Sequence, residues 1–253
     1  MLINLCACQN NREDEIDLLS KIKDKKVFYV GVNPNSKPFA YKDDNGALRG
    51  FDIELIKEIS KKIFETDEII EFVNVTPSNR ILKLNMKEVD AVISTMTITK
   101  ERLEVVDFSK PYYMTGQAIL VSNNSNIRSG KDLNHKKIGI VLGTTAEANI
   151  RYIASNASIR GFRNYADAFA ELKNGNIDAI STDEVILRGI ASGAKGYKIL
   201  PDRYSTEFYG IAIRKDEASE SLKSAINKAL DDIEKNGKLE DLEKKYKIQY
   251  RRK

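Results

Sequence analysis

An alternation of apolar strand patterns with amphipathic helix patterns constrains the fold of this chain more than any other feature, because it runs through the sequence twice. Strand, helix, strand, helix, strand is the order of a parallel sheet whose strands are joined by crossover helices. The first series predicts strands over residues 27–32, 69–75 and 89–93, with helices over 51–63 and 78–84, the latter capped by Ser78.

The second series starts near residue 137 and has the same order. Together the two series predict an α/β fold of two lobes, each built on a mostly parallel sheet with crossover helices. The second series consists of strands over 137–142, 158–162 and 177–182, with helices over 145–154 and 167–173.

Two β-rich segments lie outside these series, over residues 112–122 and 208–214. We interpret them as antiparallel strands that cross between the lobes and form a two-strand hinge. Helices predicted over 219–234 and 239–246 then return to the first lobe. The predicted organisation is a leader and tether over 1–25, lobe 1 over 26–115, lobe 2 over 116–209, and a return to lobe 1 over 210–253.

The charge distribution argues against a nucleic acid as a partner. Lys and Arg number 41 and Asp and Glu number 37 among 253 residues, and the small excess is spread along the chain. A nucleic-acid interface needs a basic patch or stripe, which this sequence lacks. The sequence also has no run of about 20 apolar residues, the length that a membrane-spanning helix requires.

Both cysteines of the chain, Cys6 and Cys8, lie in its first eight residues. The segment Leu5-Cys6-Ala7-Cys8 is similar to a bacterial lipobox, which predicts that Cys8 is lipidated and attaches the protein to the membrane by its acyl anchor alone. Too few residues precede it for the apolar run of about 7 to 15 residues in a signal peptide. We therefore expect that the native start lies upstream of Met1; the alternative is a native Met1 and two incidental cysteines.

One segment, over residues 90–113, combines an apolar strand with polar binding groups. Four hydroxyl side chains follow the strand between Ser94 and Thr99, and Arg102 comes next. Hydroxyl groups both donate and accept hydrogen bonds, and a guanidinium matches a carboxylate through two parallel charge-assisted bonds. The segment therefore predicts a site for a zwitterion that carries one carboxylate and one ammonium group.

Seven short motifs follow one another along the chain. They are Pro38-Phe39, Gly50-Phe51-Asp52, Val89-Asp90, Thr97-Ile98-Thr99-x-x-Arg102, Asp107-Phe108-Ser109-x-Pro111-Tyr112-Tyr113, Gly143-Thr144-Thr145 and Asp183-Glu184. In this order they resemble the family 3 extracellular solute-binding proteins, which deliver polar amino acids to ABC transporters. The resemblance covers nearly all of residues 26–246. It implies a periplasmic binding protein type II fold, an extracytoplasmic location, an ABC transporter permease as partner, and a monomer that closes on one amino acid.

The resemblance also implies how the two charged ends of an amino acid are bound. Arg102 would bind the α-carboxylate, and Asp183 would bind the α-ammonium with help from the Thr97 hydroxyl and a strand carbonyl near Thr95. By position alone, Arg102 is equally consistent with a surface residue paired with a neighbouring glutamate. Asp183 is likewise consistent with an N-cap of the helix that follows it.

Thr144 and Thr145 follow Gly143 at a predicted junction between a strand and a helix. Free backbone N–H groups and the helix dipole favour an anion at such a place. We therefore expect both threonines to bind the carboxylate from the second lobe, and Thr145 to cap the helix as well.

The choice of ligand depends on Asn79 and Arg80. Proteins of the resembling family with an Asn-Arg segment here often bind glutamate or aspartate, since the Arg meets the side-chain carboxylate. Some relatives that bind cysteine also carry it, and a solvent-facing Arg in a helix is the alternative. Glutamate or aspartate is therefore the favoured ligand, followed by glutamine and by cysteine or cystine.

The chain departs from the common family pattern at Ser36 and Pro77, where many relatives place two aromatic residues that sandwich the ligand. Phe39 is our candidate to replace them, with Tyr41, Tyr113 and Tyr209 as further candidates, although Phe39 and Tyr113 are also suited to the core. The departure argues against a large apolar or basic ligand.

The sequence predicts neither catalysis nor a cofactor. His135 is the single histidine, so no Ser-His-Asp or Cys-His set can be assembled. No cluster with metal-ligand spacing and no Gly-rich phosphate loop is present. The resembling fold also serves in cyclohexadienyl dehydratase-like enzymes and in sensor domains of receptors, and both stay as alternatives because fold does not determine function.

Overall fold

Two five-stranded sheets organise the protein, which a computed structural model describes over residues 17–248. The elements up to the first crossing between the lobes are α1 (Leu18–Lys25), β1 (Phe28–Val32), β2 (Asn35–Ser36), β3 (Ala40–Lys42), β4 (Leu48–Arg49), α2 (Phe51–Phe64), β5 (Ile70–Asn74), α3 (Arg80–Asn85), β6 (Ala91–Val92), α4 (Lys100–Leu103), β7 (Val106–Phe108) and β8 (Tyr113–Thr115).

The second lobe and the return to the first follow. Their elements are β9 (Gln117–Ser122), a 3-10 helix (Gly130–Leu133), β10 (Lys137–Val141), α5 (Ala146–Ile153), β11 (Ser158–Phe162), α6 (Tyr165–Lys173), β12 (Ala179–Asp183), α7 (Glu184–Ile190), β13 (Tyr197–Ile199), β14 (Glu207–Tyr209), β15 (Ala212–Arg214), a second 3-10 helix (Glu217–Ser219), α8 (Glu220–Lys235) and α9 (Lys238–Lys245).

Each sheet contains one strand that runs against the other four. The first sheet has the order β5-β1-β6-β15-β7, and the second has the order β11-β10-β12-β9-β13. β1 pairs in parallel with β5 and β6, whereas β15 is antiparallel to both of its neighbours. β9 has the same position and direction in the second sheet. The predicted two-lobed α/β fold is therefore confirmed.

The hinge is a small antiparallel pair formed by β8 and β14. Each segment that was predicted as one continuous strand is broken by a glycine, Gly116 in the first and Gly210 in the second. A β-carbon at Gly116 would lie 2.5 Å from the carbonyl oxygen of Ser205, and one at Gly210 would lie 2.9 Å from the Ile98 side chain. The chain thus leaves the hinge pair at glycines and joins a sheet as β9 or β15.

The two lobes are in contact. Tyr165, Val185 and Ile186 of the second lobe are buried in the same apolar cluster as Phe39 and Phe51 of the first. Burying a large apolar side chain stabilises by about 1.5–3 kcal/mol, so this contact favours the closed arrangement of the lobes.

The start of the described chain corrects one predicted boundary. Residues up to 25 were predicted as leader and tether, but α1 packs on α8, with Leu18 and Ile22 buried and the Asp17 carboxylate accepting a hydrogen bond from Ser20 N at 2.9 Å. The apolar spacing of Leu18 and Ile22 gives this short helix a face to bury. Cys8, with its predicted lipidation, lies outside the described residues.

Between residues 17 and 248, none of the helices has both the length and the apolar character needed to cross a bilayer.

Candidate functional site

A small, partly enclosed cavity lies between the lobes. Its volume is about 10 Å³, roughly the space that one water molecule needs. A larger ligand therefore enters only when the lobes separate. Seven of the ten predicted binding residues meet here together with Pro77 and Tyr165; the lining is Pro77, Arg80, Thr95, Thr97, Arg102, Thr144, Thr145, Tyr165 and Asp183.

The Arg102 guanidinium points into this cleft. It donates hydrogen bonds to the Thr97 carbonyl at 2.7 Å and to the Gly143 carbonyl of the second lobe at 3.1 Å. The Thr99 hydroxyl accepts from Arg102 N at 3.2 Å and so fixes the start of α4. Burial lowers the pKa of Arg102, because its charge is removed from water. The position fits the predicted carboxylate-binding role rather than a surface ion pair.

Arg80 is almost completely buried, with 2% of its surface exposed. It donates to the Ser94 carbonyl at 2.6 Å and to the Gly143 carbonyl at 3.4 Å. Its Nε has no hydrogen-bond partner in the described part of the chain. Burial and, next, the neighbouring Arg102 lower the pKa of Arg80 to about 9. This arrangement excludes the alternative of a solvent-facing helical arginine.

Asp183 is the acidic group of the cavity. It precedes α7, but its side chain makes no cap hydrogen bond; instead the Tyr209 hydroxyl donates to its Oδ2 atom. Among residues 17–248, its Oδ1 atom is buried without a hydrogen-bond partner. Burial and, next, the Glu207 carboxylate raise the pKa of Asp183 to about 7. An unpaired carboxylate oxygen inside the cleft suits an ammonium group.

The two threonines line the cavity and lie directly before α5. The Thr144 hydroxyl accepts from Ala146 N at 3.3 Å and donates to the Val141 carbonyl at 2.7 Å, so it binds the backbone on both sides of the junction between β10 and α5. Thr145 occupies the N-cap position of α5, as predicted, but its side chain makes no cap hydrogen bond within the described residues. Its hydroxyl donates to the two carboxylate oxygens of Glu207, at 3.1 Å each. Glu207 competes successfully for this hydroxyl because it is a charged acceptor.

Glu207 is a residue that the sequence analysis missed. It stands at the start of β14 with 3% of its surface exposed, and its carboxylate also accepts from Asn149 at 2.8 Å and from Ser205 at 2.9 Å. Asn149 in turn donates to the Gln117 side chain at 2.6 Å. The network connects the hinge strand to the cavity wall at Thr145. An acidic residue directly before the predicted hinge segment was the available signal.

Thr95 occupies the left-handed region at φ 44°, which is rare for a β-branched residue. Its backbone N–H donates to the Asp52 Oδ2 atom at 3.2 Å. Burial raises the pKa of Asp52 to about 7. Asp52, the third residue of the Gly50-Phe51-Asp52 motif, therefore positions Thr95 at the cavity wall without lining the cavity itself.

Two predicted binding residues have structural roles instead. Ser94 is buried and contributes its carbonyl as an acceptor for Arg80, while its own hydroxyl has no partner. The Asn79 side chain accepts from Thr76 N at 2.8 Å and so closes the turn before α3. Short polar side chains favour such local bonds to the backbone, and this explains the correction for Asn79.

Phe39 is also corrected, from a ligand contact to a core residue. It has no exposed surface, and its ring lies 5.1 Å from the Tyr113 ring and 5.5 Å from the Tyr209 ring. Tilted aromatic neighbours at this spacing stabilise one another. Phe39 therefore packs against Tyr209, whose hydroxyl donates a hydrogen bond to Asp183 in the cavity.

Ser78 does not cap α3, contrary to the prediction. Its hydroxyl donates to the Leu142 carbonyl of the second lobe at 3.0 Å, and Asn79 occupies the N-cap position. Tyr165, a further wall residue that the sequence analysis missed, has its hydroxyl 3.0 Å from that of Thr182. Its position at the start of α6 follows from the sheet topology, not from a motif.

Comparisons with known proteins find similarity over nearly the whole chain. The model of the bacterial extracellular solute-binding proteins, family 3, matches residues 28–249. The ABC transporter glutamine-binding protein GlnH of Bacillus subtilis (strain 168) is 37% identical over 254 residues, which cover 97% of this chain and 92% of that protein. The glutamine-binding protein of Geobacillus stearothermophilus is 43% identical over 202 residues, covering 78% and 76%.

A solved structure extends the similarity to three dimensions. The ancestral amino acid-binding protein AncCDT-1, described as a precursor of cyclohexadienyl dehydratase, superposes with a TM-score of 0.83 at 36% identity. The match covers 90% of this chain and 98% of that one.

Proposed function

The chain belongs to the bacterial extracellular solute-binding proteins, family 3, and from this premise we propose that it captures a free polar amino acid and presents it to an ABC importer. One observation carries the proposal: a guanidinium on the first lobe, Arg102, and an unpaired carboxylate oxygen on the second, Asp183 Oδ1, line the same small cavity. These two groups complement the two charges that every free α-amino acid carries.

Closure follows from the position of these groups. Arg102 lies on the first lobe and Asp183 on the second, so an amino acid held by both connects the lobes. A ligand shifts a conformational equilibrium only by its difference in affinity for the two states. Because the full set of contacts exists only when the lobes meet, ligand favours the closed state, and the β8–β14 hinge pair allows the movement. The closed form is the one that we propose the permease recognises.

Glutamine is the first ligand that we propose. The two guanidinium groups of Arg80 and Arg102 lie with the Asp183 carboxyl at the cavity, and Glu207 is bonded to Thr145 in its wall. With both acids ionised, these four charges sum to zero, which suits a zwitterion with a neutral polar side chain. Two relatives are named as glutamine-binding proteins, which supports the same choice.

Glutamate or aspartate is the second candidate, and Arg80 favours it. The hydrogen bonds of this buried guanidinium go to two carbonyl oxygens, and its Nε has no partner. A buried charge is stabilised best by an opposite charge, and a ligand side-chain carboxylate would supply one. We place glutamine before glutamate and aspartate because the Glu207 carboxylate offsets part of the positive charge of the two arginines before a ligand binds.

Calorimetric titration with glutamine, glutamate, asparagine, aspartate and cystine tests the proposal. We expect glutamine to bind most tightly. A ligand at about 100 times its dissociation constant stabilises the folded protein by roughly 2.7 kcal/mol, so a rise in melting temperature gives an independent readout. Absence of binding and of any melting shift with all twenty amino acids and cystine would contradict amino-acid capture.

An enzyme is the candidate from another class, favoured by the similarity to AncCDT-1 and by the pKa of about 7 that burial gives to Asp183. A general acid works best when its pKa lies near the working pH. The relatives reported above are named as binding proteins, so we expect no turnover. Formation of aromatic product from prephenate or arogenate would contradict this expectation.

We propose an extracytoplasmic location with attachment through an acyl chain on Cys8. The family description supports the location, and the Leu5-Cys6-Ala7-Cys8 segment is the basis for the anchor. Labelling of cells with an alkyne fatty acid should mark the wild-type protein and leave Cys8→Ser unmarked.

A further inference from the structure

Gly189 of the second lobe lies directly against the backbone of the first. A β-carbon at this position would be 2.1 Å from the carbonyl oxygen of Lys37 and 2.9 Å from its carbonyl carbon. Both distances are below 3.0 Å, a separation within which β-carbons essentially never have another non-bonded heavy atom. The lobes can therefore approach this closely only because residue 189 has no side chain.

The backbone on each side of this contact is held in place within its own lobe. In the first lobe, Phe39 N donates to the Ser36 carbonyl at 2.7 Å and Phe51 N donates to the Pro38 carbonyl at 3.1 Å, which holds the chain on both sides of Lys37. The Asn33 side chain also donates to the Ser36 hydroxyl at 2.8 Å.

The helix that carries Gly189 is equally fixed. α7 starts directly after Asp183, and Val185, Ile186 and Leu187 are buried along it. A shift of α7 away from Lys37 would therefore move the carboxyl group of Asp183 that faces the cavity. The contact at Gly189 and the binding site are coupled through one short helix.

The helix itself does not need a glycine here. Gly189 has ordinary helical backbone angles, unlike Gly143, whose φ of 82° requires glycine for a separate reason. Glycine in a helix interior is less stable than alanine. Glycine at position 189 therefore makes the helix less stable than alanine would, but it leaves room for the Lys37 backbone when the lobes close.

We propose that Gly189 is a positioning residue that sets the closed distance between the lobes, so that any side chain at this position holds the cleft partly open and weakens ligand binding. This rests on the proposed function, because it concerns the closure that encloses the amino acid. Ligand contact itself is made elsewhere, at Arg102 and Asp183.

The test compares Gly189→Ala with wild type and with the control Ser192→Ala, an exposed position three residues further along the chain. L-glutamine and L-glutamate are titrated calorimetrically into each protein. Overpacking of this size should weaken binding by about 5- to 150-fold in Gly189→Ala, and Ser192→Ala should bind like wild type. The melting temperature of Gly189→Ala without ligand should stay the same or rise.

Small-angle scattering measures how compact the protein becomes on ligand binding, and a general loss of stability would not change this quantity. At saturating ligand, wild type should become more compact than Gly189→Ala. Equal affinity, or equal compaction on ligand addition, in wild type and Gly189→Ala would overturn the inference while leaving amino-acid capture intact. If wild type bound neither L-glutamine nor L-glutamate, the proposed ligands would be wrong. The proposed role of Gly189 in enclosing those ligands would then fall as well.

Discussion

Arg80 and Arg102 donate hydrogen bonds to one shared acceptor, the carbonyl oxygen of Gly143, at 3.4 and 3.1 Å. Both arginines belong to the first lobe and Gly143 to the second, so this acceptor joins the lobes. A carbonyl carries only a partial negative charge, and the pKa of Arg80 is lowered in part by the nearby Arg102. The Gly143 carbonyl is therefore a weaker partner for the two cations than a carboxylate would be.

Removal of the Arg102 guanidinium should weaken every amino acid ligand. We expect Arg102→Ala to cost about 2–5 kcal/mol of binding free energy, because a desolvated carboxylate is left without its partner. Calorimetric titration with glutamine and glutamate measures the loss. The exposed Arg151, paired with Glu147 on the surface, provides the control, and Arg151→Ala should bind like wild type. An affinity of Arg102→Ala close to the wild-type value would show that the α-carboxylate is bound elsewhere.

Arg80 should distinguish acidic from neutral ligands. In Arg80→Met, which keeps an apolar side chain without the charge, glutamate should lose about 1.5–3 kcal/mol more binding free energy than glutamine, the range of a hydrogen bond to a charged group. Titration of wild type and variant with both ligands gives the difference directly. Equal losses for the two ligands would mean that Arg80 does not meet the ligand side chain. Because Arg80 is buried, the melting temperature of the variant must be recorded beside its affinity.

The sequence predicted those parts of the fold that depend on local periodicity. Leu55, Ile56 and Ile59 are spaced for one face of a helix, and α2 (Phe51–Phe64) buries all three. The predicted helix over 51–63 differs from it by a single residue. The motifs likewise identified Arg102, which lies in α4, and Asp183, which is the last residue of β12, and both line the cavity.

Contacts between distant segments were not predictable in this way. The break of the hinge strand at Gly116 depends on the approach of Ser205, 89 positions further along the chain. Glu207 is connected to the cavity wall only through residues far away in the sequence, because its carboxylate accepts hydrogen bonds from Thr145 and Asn149. Asn79 is of a residue type that often binds ligands, yet its side chain accepts a hydrogen bond from Thr76 N in the turn before α3. These contacts depend on the tertiary fold, and local patterns in a single sequence do not reveal them.

Glu207 should set the preference for a neutral ligand. Glu207→Gln removes one negative charge near Arg80 and Arg102. The binding free energy of glutamate should therefore improve relative to that of glutamine by about 1–2 kcal/mol, the order of a charge interaction at an effective dielectric constant near 20. Thr145→Val is the matched control, because it removes the hydroxyl that donates to Glu207 but keeps the charge. A competition titration of the two ligands decides the outcome. An unchanged preference in Glu207→Gln would remove the electrostatic argument for glutamine.

Asp183 should make ligand affinity depend on pH. Burial raises its pKa from 3.8 to about 7, so below neutral pH the carboxyl is protonated in the ligand-free protein. An ammonium group needs the ionised form, and binding must then release a proton. We therefore expect affinity to fall as the pH is lowered from 8 to 6, by up to about tenfold for each unit below the pKa.

The stability of the ligand-free protein should change in the opposite direction. A carboxyl whose pKa is higher in the folded than in the unfolded state binds more protons when folded, so its contribution favours folding below pH 4 and is lost as the pH rises toward 7. Asp52, whose pKa burial also raises to about 7, acts in the same direction. Asp183→Asn separates the two groups, because it removes one titration and leaves Asp52. We expect the variant to bind weakly with little pH dependence and to lose less stability between pH 5 and pH 8 than wild type. If its affinity kept the wild-type pH profile, the titrating group in the cleft would have to be a different one.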